Sequence, residues 1–180
     1  PLLAFDGRDA REVGRSVIGE LVELRAGRIR LADRRLATWI TDGTPASEAT
    51  AVHERLHRVF HARARATEAA WHRARASLHA DPSVAAILVG AARGESEAGR
   101  SDRALILARE AAAHAAGAVL DEARQVAGAA AIAGGYAAEA VGWLAPLMAG
   151  GVERFRLRGL AGFVIAQAHL HGSVPSIDPG

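Results

Sequence analysis

With 180 residues, half of them hydrophobic and only 4% aromatic, the chain can fill a core but must build it from Ala, Leu, Val and Ile, which favours close-packed helices over a sheet. All 22 basic residues are arginine, and lysine, asparagine and cysteine are absent, which excludes disulfides and thiolate chemistry. The high isoelectric point reflects a net charge of only +2 in a chain with little to titrate between histidine and arginine, and with so few aromatics to stack on bases a nucleic-acid partner is not expected.

The first helix is expected from about Asp9 to Ile40. Val17, Leu21, Leu24 and Leu31 recur on one face, and Ile18, Val22, Ile29 and Leu36 on the adjoining one. Arg28 interrupts the stripe between Leu24 and Leu31. Residues 41–45, with a Gly before a Pro, form a break, and a second helix is expected from about Ser47 to Ala80, closed by Asp81 and Pro82. A short apolar helix from Val84 to Ala92 runs into residues 93–100, whose Gly, Glu and Ser content reads as a linker. Ser101 or Asp102 is the expected cap of an Ala-rich helix reaching about Ile132. Two glycine pairs, Gly134 with Gly135 and Gly150 with Gly151, bracket a segment containing Trp143 and Pro146, and a last helix is expected from about Val152 to His169.

These elements predict an all-α fold, an antiparallel bundle of four or more helices in a single domain over residues 1–180, with 93–100 as the candidate sub-boundary. Between Gln125 and Val152 the only charge is Glu139, but the prolines and glycines leave pieces shorter than a bilayer, so no membrane span is expected. A cytoplasmic location is favoured, and a start at Pro1 is compatible with a removed leader.

The densest chemistry lies on the second expected helix. His53, His57, His61, His72 and His79 fall within about a third of a continuous helical wheel, with Glu68 among them. His53, Glu54 and His57 match the His-Glu-x-x-His pattern, in which two imidazoles one turn apart hold zinc and the Glu acts as base on a metal-bound water. His61 lies about 12 Å along the axis from His53, too far to share an ion. A third ligand would come from Glu110, His114, His169 or His171. Arg55 and Arg58 add like charge beside a cation. Glu54 and His57 also have the Glu-x-x-His spacing of di-iron bundles, which needs a second copy of the motif from a symmetric partner. The plainer alternative is that these rings border the apolar arc of Leu56, Val59, Phe60, Ala70, Trp71 and Leu78.

The run from Leu21 to Asp33, with Arg28 at its centre, resembles the first helix of AroQ-type chorismate mutases. Pro45, the stretch Arg58 to Phe60 and the stretch Arg65 to Ala69 are similar to parts of that family's secreted branch. The resemblance implies a small dicarboxylate gripped by Arg28 and contacted by Thr67. The family's lysine would fall near Thr38 or Trp39, and this chain has no lysine. Three functional readings follow. The first is a helical module without chemistry of its own that binds a protein partner or self-associates; the others are an AroQ-like dicarboxylate binder and a zinc-dependent hydrolase using His53, Glu54 and His57.

Overall fold

The structure, a computed structural model, describes residues 19–25 and 28–172. It is an all-α fold of packed helices. A short hairpin, β1 (Val22–Arg25) and β2 (Arg28–Leu31), precedes eight helices among the described residues: α1 (Arg34–Gly43), α2 (Ala46–Ala62), α3 (Ala66–Ala76), α4 (Pro82–Glu97), α5 (Ser101–His114), α6 (Gly117–Ala133), α7 (Ala137–Gly150) and α8 (Glu153–His171). None of them is long and apolar enough to cross a membrane. The chain divides into two compact units, residues 1–76 and 77–180.

In the first unit the long helix expected to Ile40 is replaced, within the described residues, by the hairpin and α1. Val22 pairs with Leu31, Glu23 with Arg30, Leu24 with Ile29 and Arg25 with Arg28. The sequence Val-Glu-Leu-Arg, Ala-Gly, Arg-Ile-Arg-Leu alternates apolar and charged residues on either side of an Ala-Gly pair, which is hairpin chemistry. The same apolar residues also satisfy a helical spacing, and the antiparallel pairing wins. Asp33 then caps α1, its Oδ1 accepting the Arg35 N–H at 2.8 Å.

The second expected helix is two helices. Between α2 and α3 the chain reverses through residues 63–65, where Ala64 adopts a left-handed φ of 54°. The N–H groups of Arg63 and Arg65 return to the Phe60 carbonyl, and that of Ala64 to His61. No Gly or Pro marks this turn. It is held by the packing it permits, with Leu56 on α2 buried along with Ala69, Ala70 and Ala74 on α3. So short a connection makes the pair an antiparallel helical hairpin.

In the second unit Asp81 caps α4, accepting the Ser83 N–H at 3.0 Å, with Pro82 at the first helical position. The presumed linker is not one, because α4 continues to Glu97 and only 98–100 form the turn. The Ala-rich helix expected to Ile132 is likewise broken, after His114, with Gly117 at φ 54° opening α6. Each helix packs on the next from α4 to α8, and α6 also contacts α4 and α8. Ala85, Ala92, Ala104, Ala108, Ala111, Ala123, Ala127 and Ala131 are fully buried, so helix backbones approach closely. Gly128 completes this fit: a Cβ there would lie 2.4 Å from Leu144 Cγ, and Leu144 is itself buried.

Candidate functional site

The hairpin of α2 and α3 gathers the imidazoles by folding back rather than by lining up one helix. His53 on α2 and His72 on α3, 19 residues apart, place Nδ1 against Nδ1 at 2.9 Å. Their ring centres are 5.1 Å apart. That exceeds the N···N distance by nearly a full ring width, so the two nitrogens lie on the line between the centres and meet head-on, as a hydrogen bond. One turn further along α2, His57 Nδ1 lies 2.9 Å from the Ala69 carbonyl oxygen. A carbonyl carries no proton, so this nitrogen is the donor and neutral His57 keeps its lone pair on Nε2. His72 is stacked on Phe60, centres 5.3 Å apart and planes within 3°, and His57 and His61 rings lie 5.9 Å apart.

The electrostatics follow from that crowding. Burial, then the neighbouring rings of His53 and His57, pull His72 down to about 4 against the opposing charge of Glu68. Burial and the Arg75 guanidinium lower His53 as well. Glu68 is ion-paired with Arg65 at the start of α3.

The expected site residues are therefore distributed as follows. His53 and His57 are half-buried at the α2/α3 junction with His72, Glu54 is exposed beside them, and Thr67 is half-buried in the first turn of α3. His61 is exposed. His79 does not share their helix, since α3 ends at Ala76. Glu110, His114, His169 and His171, the expected sources of a third ligand, belong to the other unit. Among the described residues no group of three or more His, Asp or Glu side chains is placed to hold a metal ion. Arg28 lies in β2, and its side chain is outside the described residues; Val22–Arg25 and Arg28–Leu31, within the run that carries the chorismate mutase resemblance, are strands here.

Two polar anchors of the second unit go beyond what the sequence reading predicts. His114, 6% exposed, accepts the Asp81 N–H on Nδ1 at 3.0 Å and so ties the end of α5 to the start of α4, with Nε2 3.8 Å from Glu110. Asp121, 8% exposed on α6, accepts the Val152 N–H at 2.8 Å ahead of α8 and pairs with Arg124 at 3.3 Å. The signal for both was a lone polar residue at an apolar helical position. A cavity of about 170 Å³ lined by Ile132, Gly135, Ala137, Ala166 and His169 is smaller than the roughly 300 Å³ at which ligand pockets begin, and its one titratable ring is turned to the Ile165 carbonyl.

Comparison of the chain with profiles of protein families, with curated proteins and with solved structures finds no match.

Proposed function

We propose that this chain works through its helical surfaces, as a module that binds a protein partner or a second copy of itself rather than as an enzyme. The observation that carries the reading is on α8. Leu157, Ala161 and Ile165 recur at four-residue spacing on one face, and all three are exposed, Leu157 at 61% and Ile165 at 46%. Phe155, Gly159 and Ala166 on the same helix are buried against the unit. A helix apolar on its inner face and again on its outer one has more hydrophobic surface than its own core uses, and such surplus marks interaction surfaces. Arg154 and Arg158, exposed alongside, supply a charged rim.

The reading is tested by the mass of the full chain in solution over a range of concentrations, and by its capture of partners, before and after Leu157→Glu and Ile165→Glu. Association that disappears in the folded double variant supports it. A chain that is monomeric throughout, and whose partners bind the double variant equally well, removes it.

A further inference from the structure

We propose that His53 and His57 form a two-histidine copper(II) site on α2, coordinating through Nε2, with His72 and the Ala69 carbonyl as the groups that orient the two rings. The inference is independent of the association reading, since it concerns only the α2/α3 hairpin.

A metal-ligating imidazole needs its lone pair on one nitrogen and its proton held elsewhere, and proteins supply this by giving the second nitrogen a hydrogen-bond acceptor. His57 already has that arrangement, because its Nδ1–H is committed to the Ala69 carbonyl. His53 acquires it when its Nδ1 donates to His72 Nδ1; the head-on meeting of those nitrogens leaves no room for an ion between them and points the coordinating role to Nε2. The two residues are four apart on one helix, so their rings leave the same face one turn apart. His61 stands one turn further along the same face, its ring centre 5.9 Å from that of His57, but it is exposed, and among the described residues no hydrogen-bond acceptor holds its ring.

Two nitrogens from protein, with water completing the shell, suit a tetragonal ion better than zinc, whose structural and catalytic sites take three or four protein ligands. Copper(II) stands highest in the divalent affinity order and accepts imidazole readily. Arg55 and Arg58 on α2, and Arg75 beside His53, repel a cation and weaken the site, which makes it exchangeable rather than permanently filled.

The test is a titration of the chelator-stripped full chain with copper(II) chloride, read by calorimetry and by the nitrogen splitting in electron paramagnetic resonance. The expected result is one equivalent bound with a two-nitrogen pattern, lost in both His53→Ala and His57→Ala and kept in His61→Ala and in the double change His169→Ala with His171→Ala. His72→Phe should weaken binding by about 10–100-fold while retaining the two-nitrogen pattern, and His72→Gln, whose amide oxygen can accept the proton, should recover part of the loss. Circular dichroism checks that each variant stays helical; if His53→Ala unfolds the hairpin, His57→Ala decides alone, since it removes only the bond to Ala69. Copper binding that survives His57→Ala in helical protein, binding lost with His61→Ala but not with His53→Ala, or no binding by the parent chain, each overturns the proposal.

Discussion

Between α6 and α7 the fit is made by volume: Gly128 leaves the notch that Leu144 fills, and the three atoms nearest that position are all Leu144 carbons. Between α2 and α3 it is made largely by hydrogen bonds, with His53 against His72, His57 against the Ala69 carbonyl, and Leu56 as the one large fully apolar side chain buried between them. Both junctions join Ala-rich helices. The first can respond only to changes of size, because dispersion and hydrophobic burial do not depend on protons or ions. The second exchanges some of that insensitivity for groups whose strength depends on protonation and, on the proposal above, on copper. The contrast separates a junction that answers only to size from one whose strength varies with pH.

The largest effect should come from breaking the volume fit. Leu144→Ala removes a fully buried side chain from the cluster with Leu147 and Phe155 and should cost about 2–5 kcal/mol in urea denaturation. Gly128→Ala forces a Cβ into Leu144 and should cost about 1–3 kcal/mol alone. Together the two changes should cost clearly less than their sum, because the new methyl enters the space that Leu144 vacates. Strict additivity would show that Gly128 and Leu144 do not meet.

The imidazole junction should answer to pH instead. His72 holds its proton less firmly in the folded chain, at about 4, than at its ordinary 6.5, so the unfolded chain takes up protons first as the pH falls. Stability of the metal-free protein is therefore full above about pH 6.5, falls through the window down to about pH 4, and levels off below it. His53 is shifted in the same direction. The rings are partly exposed, so after allowing for solvent screening the loss should be roughly 1–2 kcal/mol. His72→Phe should flatten that part of the profile, read as a smaller change in melting temperature between about pH 7 and about pH 4.5 than in the parent chain. An unchanged profile would mean that the junction opens without cost and that His72 is not held as described.

A smaller effect is expected at Asp121, whose carboxylate holds the Val152 N–H ahead of α8. Asp121→Ala should cost about 1 kcal/mol and speed hydrogen exchange at the first turn of α8 more than at α4 or α5. Uniform exchange across the unit would assign Asp121 to the core at large rather than to that helix start.

How much of this was legible in the sequence depended on punctuation. The C-terminal end of α1 at the Gly-Thr-Pro run, the start of α4 at Asp81 and Pro82, the turns at the paired glycines and the extent of α8 all carry Gly, Pro or capping residues, and the sequence reading places each within a few residues. The break after Ala62 carries no Gly or Pro at all, while the hairpin strands and the break after His114 each carry a single glycine, Gly27 and Gly117, that the high helix propensity of the surrounding Ala, Leu and Arg outweighs in a reading by periodicity. The candidate site suffered directly. His53 and His57 are legible as a pair because they share one uninterrupted helix, whereas the contact of His53 with His72 exists only because the chain reverses at Ala64. A continuous wheel put those two rings about 100° apart on one helix, where they could never have met.

That reversal can be tested by the sign of a small effect. Ala64 holds a left-handed φ of 54°, a conformation that costs a residue with a Cβ about 1 kcal/mol and glycine almost nothing. Ala64→Gly removes that cost but adds roughly 0.5–1 kcal/mol of backbone entropy to the unfolded chain, so the variant should be unchanged or more stable by a few tenths of a kcal/mol. In an unbroken helix the same substitution would be destabilising by about 1 kcal/mol. Because one architecture predicts no loss and the other a clear one, the melting temperature decides between them even though neither shift is large. An Ala64→Gly chain that is unchanged or more stable retains the turn that faces His53 with His72. A clear loss would restore the single long helix and, with it, separate the two rings on which both the acid sensitivity and the orientation of the copper site depend.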